Sequence, residues 1–134
     1  MESLPLENPF LQHLGIRLVG WSDGNAEFHL PMRHELTNRI GQVQGGVLCA
    51  MLDVAAGYSG IWSALGEPAR NAVTLSLTTN FMDVAAGEVL IARGKLQRRG
   101  RSIFFSDANV SMDGTRVLAT AIGSFKYVDR STRR

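Results

Sequence analysis

From Gly45 to Leu65 the chain reads GGVLCAMLDVAAGYSGIWSAL, apolar on nearly every side of a helical wheel, with one charge, Asp53, near its middle. A helix with no polar face is buried all round, either in lipid or inside a protein. The length would serve a membrane span, but an Asp at mid-bilayer costs about 2.5–3.5 kcal/mol on insertion scales, and no basic cluster flanks the segment. The expectation is a fold that wraps this helix away from water, with no membrane partner. The rest of the chain must supply the wrapping.

It reads as strands. IRLVGW and NAEFHLP alternate, the latter with Ala26, Phe28 and Leu30 on one face, and SDGN between them is a hairpin turn. After the apolar segment come NAVTLSLTTNFM, EVLIARGKLQR, SIFFSDANVSM and RVLATAIGSFKYV, the last two joined by Asp113-Gly114, a strong hairpin signal. In the first of these, Val73, Leu75, Leu77 and Phe81 are expected on one face, with Thr74, Ser76, Thr78 and Asn80 on the other. Asn8-Pro9 caps a short helix over about 8–14, residues 32–44 read as a polar loop, and about 129–134 as a frayed tail. At 134 residues this is one domain, 1–134, of the α+β class. One long central helix is wrapped by a curved antiparallel sheet in the order ββαββββ.

The chemistry concentrates at the helix. The first four amides of a helix lack intrahelical partners and carry partial positive charge. Gly45 and Gly46 leave them open, either to polarise a bound carbonyl oxygen or simply to permit a tight entry turn. Asp53 is costly inside an apolar helix unless it is paired, hydrogen-bonded or used, and no Lys or Arg lies within a turn of it. It can activate water or attack a carbonyl directly; the structural alternative is a carboxylate tied to backbone or hydroxyl groups. Seven or eight residues of helix span about 11 Å. That spacing argues against both groups coming from the same copy, and a paired second chain could bring one copy's acid to the other's glycines.

The ββαββββ order, the N-x5-Q-G-G run from Asn38 to Gly46, Asp53, TLSLTTNF from Thr74 and the Gly100-Arg101 pair together resemble the hotdog-fold acyl-CoA thioesterases of the PaaI-like branch. The resemblance implies hydrolysis of acyl-CoA thioesters to acid and CoA, without metal or organic cofactor, in homodimers that often pair into tetramers and hold their sites at the dimer interface. By it, the Gly45 amide polarises the thioester carbonyl, and Asp53, from the neighbouring subunit, is general base or nucleophile. Asn38 orients the thioester or the water, and Thr74 positions the nucleophile. Many members carry His where Gln44 stands, and an amide cannot shuttle a proton as imidazole does. A second departure is MDVAAG at 82–87, where relatives commonly carry an Arg-Pro pair.

Five basic residues in the nine from Arg93 to Arg101 either bind CoA phosphates or solvate a hairpin end. Gly46, Arg99, Gly100, Arg101 and Ser102 are the substrate-binding candidates there and at the helix start, and Tyr58 and Trp62, read as helical, are candidates to line an acyl pocket. With few aromatics among the charges, a nucleic-acid platform is not expected. His13, His29, His34 and Cys49 lack metal-ligand spacing, and Ser59 lacks a nucleophile elbow. One cysteine, with no secretory signal in MESLPLENPF, points to the reducing cytoplasm. The expected protein is a homodimeric or homotetrameric thioesterase; the rivals are a non-catalytic acyl-CoA binding protein on the same scaffold and a hotdog hydratase.

Overall fold

The computed structural model describes residues 2–5 and 7–129. The tail expected from about 129 therefore falls, after Asp129, outside the described residues. Helix α1 spans Pro9–Leu14, with the Asn8 side-chain oxygen accepting from the Leu11 N–H at 3.3 Å and Pro9 in the first turn. Strands β1 (Arg17–Ser22) and β2 (Asn25–Pro31) follow, then α2 (Gly45–Ser59), β3 (Asn71–Phe81), β4 (Val89–Arg99), β5 (Ile103–Met112) and β6 (Arg116–Val128). Residues 32–44 are a loop as expected, apart from one 3-10 turn at His34–Leu36.

All strands join one sheet in the order β1-β2-β4-β5-β6-β3, every neighbouring pair antiparallel. The β5–β6 turn, three residues from Asp113 to Thr115, has Asp113 at φ 55° and Gly114 at φ 76°, left-handed conformations that Asp tolerates and Gly adopts freely. Helix α2 lies across one face. Its backbone approaches β4 so closely that a Cβ on Gly94 would fall on the Ala55 carbonyl. Phe28, Phe104 and Phe125 from the sheet meet Met51, Leu52 and Ala55 from the helix in the core, all essentially inaccessible to solvent. Each large apolar side chain so buried stabilises by about 1.5–3 kcal/mol.

Three expectations need correction. The helix stops at Ser59 instead of running to Leu65. Gly57 and Gly60 weaken it, the Gly60 N–H turns back to the Gly57 carbonyl at 3.2 Å, and a side chain at Gly60 would strike the Phe104 ring. Trp62 and Leu65 thus lie beyond the helix. Nor is α2 buried all round within one chain: Leu48, Met51, Leu52, Ala55 and Ala56 are buried, while Gly46, Cys49, Ala50, Asp53, Val54 and Gly57 are partly or fully open. Finally, a bulge between Thr74 and Ser76 breaks the alternation of β3. Ala72 and Thr74 face α2, Leu75 is the extra residue, and Leu77 rejoins the helix side while Ser76 bonds Ser124 on the opposite face. No helix among the described residues is long and apolar enough to cross a membrane.

Candidate active site

Asp53 projects from the half-open flank of α2 toward β3, and the bulge aims Thr74 at it. Thr74 Oγ1 donates to Asp53 Oδ1 at 2.7 Å. The other carboxylate oxygen has no protein partner among the described residues. The pair lies on a small cleft of about 140 Å³ walled also by Gly57, Tyr58, Ile61 and Phe125. The carboxylate is therefore held by one hydroxyl and reachable, neither sealed in the core nor tied to its own backbone.

The start of α2 is built by Asn38. Its side-chain oxygen accepts from the Ile40 and Gln42 N–H groups at 3.0 and 3.1 Å, and its own N–H donates to the Gln42 carbonyl at 2.7 Å. A bridge between Thr37 and Val43 closes this loop, and the Gln44 N–H then anchors on the Leu36 carbonyl at 2.9 Å. Asn38 thus shapes the turn that delivers the helix, leaving only its amide nitrogen for a ligand. Asn is a habitual builder of such turns, a signal present in the sequence. The Val47 and Leu48 N–H groups both reach the Gln44 carbonyl, at 3.0 and 3.4 Å, while those of Gly45 and Gly46 meet no acceptor among the described residues. Gln44 occupies the N-cap without a side-chain cap bond. Phe81 borders the opening, its ring 3.7 Å from where a Gly45 Cβ would sit. Eight residues of helix separate Gly45 from Asp53, about 12 Å.

The remaining candidates divide. Tyr58 is chiefly packing: its ring stacks edge-on against Phe28 at 5.1 Å and tilts on Trp21 at 5.2 Å, while its flank lines the Asp53 cleft. Trp62 is half-buried in the loop after α2. Arg99, Gly100 and Arg101 share a second cleft with Arg70, which sequence reasoning missed because it lies in a loop far from the basic run. Ser102 is exposed at the same hairpin, its carbonyl accepting from the Tyr127 N–H at 2.9 Å. The basic run is not one patch. Arg93 sits on the sheet's outer face paired to Glu27 at 2.9 Å, whereas a bulge between Leu96 and Arg98 turns Arg99 to the α2 side. There the Tyr127 hydroxyl, outweighing partial burial and joined by Asp23, raises the Arg99 pKa. Ser59 is fully buried, its hydroxyl bonding the Ala56 carbonyl, a structural position. Among the described residues no three of His, Cys, Asp and Glu gather to hold a metal.

Residues 40–119, which hold α2, Asp53 and Thr74, match the thioesterase superfamily profile. The chain belongs to the thioesterase superfamily. A candidate esterase of Halobacterium salinarum is 31% identical over 108 residues, 78% of this chain and 70% of that protein. Among solved structures, a conserved protein of Pseudomonas aeruginosa superposes with a TM-score of 0.80 at 27% identity, covering 91% of this chain and 95% of the other. A candidate thioesterase of Ralstonia eutropha, described as related to phenylacetic acid degradation, superposes at 0.77 with 29% identity, covering 91% and 92%. This thioesterase-family chain thus has the hotdog architecture expected of it, and thioester hydrolysis is the activity its superfamily supports.

Proposed function

We propose that the protein hydrolyses acyl-CoA thioesters in a homodimer, with Asp53 of one chain and the Gly45 amide of the other acting on the same carbonyl. The observation that carries this reading is the reachable Asp53 carboxylate, held at one oxygen by Thr74 and without a partner at the other among the described residues. Thr74 fixes Oδ1, so Oδ2 presents to water as a base or attacks the carbonyl itself. Charge then builds on the carbonyl oxygen, and the Gly45 and Gly46 N–H groups at a helix N-terminus, which meet no acceptor among the described residues, are suited to stabilise it. The tetrahedral adduct collapses with departure of the CoA thiolate; an anhydride formed by direct attack would be released by water.

The 12 Å separation within one helix supports a site shared between chains, and β3 supports the pairing. It is a long edge strand with Val73 and Leu75 about half exposed, an arrangement that favours pairing with another strand. Pairing of such dimers into tetramers belongs to the same reading, as do a reducing cytoplasmic setting and the absence of any cofactor. Small, medium and aryl acyl groups all fall within it, the aryl class by analogy with the Ralstonia relative.

Thiol release from acetyl-, hexanoyl- and benzoyl-CoA by wild type and Asp53→Asn tests the proposal. Turnover by wild type that falls by about 10³-fold in the variant supports it; equal rates contradict it. One observation favours a second reading, an acyl-CoA binding protein without turnover: Gln44, at the helix start, cannot titrate. Tight acyl-CoA binding with no thiol released would favour that reading, and a large rate gain in Gln44→His would show that a proton donor is what the site lacks.

A further inference from the structure

Two apolar side chains are held out in water beyond opposite ends of α2, each by a closed turn. After the helix, the Glu67 N–H donates to the Ala64 carbonyl at 3.0 Å, the Glu67 carboxylate accepts from the Ala64 N–H at 2.8 Å, and Gly66 takes a left-handed φ of 90°. Leu65 stands fully exposed at the tip of that turn. Before the helix, the Gly41 N–H donates to the Asn38 carbonyl at 3.0 Å and Gly41 has a φ of 83°, which leaves Ile40 70% exposed at the tip. Phe81, beside Gly45, and Met82 after it are also more than half exposed. The tips carry opposite charges. Glu67 accompanies Leu65 and Arg39 accompanies Ile40, both exposed and neither in an ion pair among the described residues.

Symmetry relates the two tips. If Asp53 of one chain serves a carbonyl on its partner's Gly45, a two-fold axis passes level with Cys49, midway between those positions, and sets Gly57 level with the partner's Gly41. The end of α2 then overruns the partner's helix start by about one turn. It delivers the chain beyond it, residues 60–70, to the partner's loop at 38–42. Strand β3 leads to the same place. Thr74 holds Asp53 and Phe81 borders Gly45, so the pairing that brings acid to glycine turns Thr74 toward the partner's Phe81. The start of β3, with the loop before it, follows.

From these two registers and the opposite charges we infer that the 60–70 loop of one chain caps the helix start of its partner, Leu65 packing on the partner's Ile40 and the partner's Phe81, and Glu67 facing the partner's Arg39. The cap comes from the same chain that supplies Asp53, and it shields from water the charge that the Gly45 amide stabilises. The inference rests on the shared site proposed above and adds the segment that covers it.

Cross-linking tests it. In a Cys49→Ser background, which removes the one cysteine, chains carrying Ile40→Cys are co-expressed with chains carrying Leu65→Cys and treated with bismaleimidoethane. About half of the dimers are hybrids under random pairing; these are expected to link, and either variant alone is not. Hybrids seen by native mass spectrometry that do not link overturn the cap, as do linked dimers of Leu65→Cys alone or a chain that stays monomeric. Linked hybrids of a protein that hydrolyses no acyl-CoA support the cap and contradict the catalytic reading, whereas hydrolysis by wild type without linkage leaves that reading standing and removes the cap. Dimer dissociation in the ultracentrifuge reads the same contact without cysteines. Glu67→Gln, which keeps an oxygen for the Ala64 N–H, should weaken the wild-type dimer and strengthen that of Arg39→Glu, by about two- to five-fold each way. The same change in both backgrounds overturns the pairing of the two tips.

Discussion

In the proposed mechanism the bond from Thr74 to Asp53 decides which carboxylate oxygen is left for chemistry, so its loss should tell on rate more than on binding. A hydrogen bond to a charged group contributes about 1.5–3 kcal/mol. Thr74→Ala should therefore lower kcat by about 10–100-fold with little change in KM, as steady-state thiol release would measure, and Thr74→Ser should restore most of it. A second carboxylate makes a pH prediction. Burial opposes the charge of Glu27, but hydrogen bonds from His29 at 2.7 Å and Arg93 at 2.9 Å outweigh it and hold its pKa below the usual 4.5. The stabilisation this gives is complete above the unfolded pKa and is lost as pH falls through the folded one. The stability gap between wild type and Glu27→Gln, followed by denaturant unfolding, should be constant above about pH 5 and shrink progressively below pH 4.5. Asp53 was legible in the sequence because a lone acid in an apolar helix demands a reason. The commitment of Arg99 was not, since Asp23 and Tyr127 reach it from strand ends far away in the chain.

Among the elements, α2 against β4 is the tightest fit. The obstacle to a side chain at Gly94 is the Ala55 backbone, which cannot rotate away as a side-chain tip could. Overpacking against a rigid neighbour costs about 3 kcal/mol, so Gly94→Ala should lower Tm by roughly 10 °C in a thermal melt. The order of elements was legible from period-2 patterns, the Asp113-Gly114 turn and the single apolar run. The end of α2 and the bulge in β3 were not. Ile61, Trp62 and Leu65 continue an apolar pattern that tertiary packing of Gly60 on Phe104 interrupts, and the extra residue at Leu75 leaves no mark in a strand of alternating Thr, Ser and Leu. That bulge puts Thr74 on the α2 side, where its hydroxyl reaches Asp53.

In the proposed reading, the whole molecule taken as one chain holds two halves of a site that do not meet. The proposed second copy would cover the open flank of α2 and the exposed edge of β3 and bring its own acid to the Gly45 and Gly46 amides, which meet no acceptor among the described residues, and the same open flank explains why a helix expected to be buried on every side is half bare in a single chain. The sharpest measurement is complementation between two inactive variants. Asp53→Ala removes the acid, and Gly45→Pro removes the amide hydrogen at a helix position that tolerates proline. If each site takes its acid from one chain and its amide from the other, co-expressed chains form hybrids with one intact site, and acyl-CoA hydrolysis should recover to about a quarter of wild type under random pairing. No recovery from a mixture shown to contain hybrid dimers would contradict a site shared in this way.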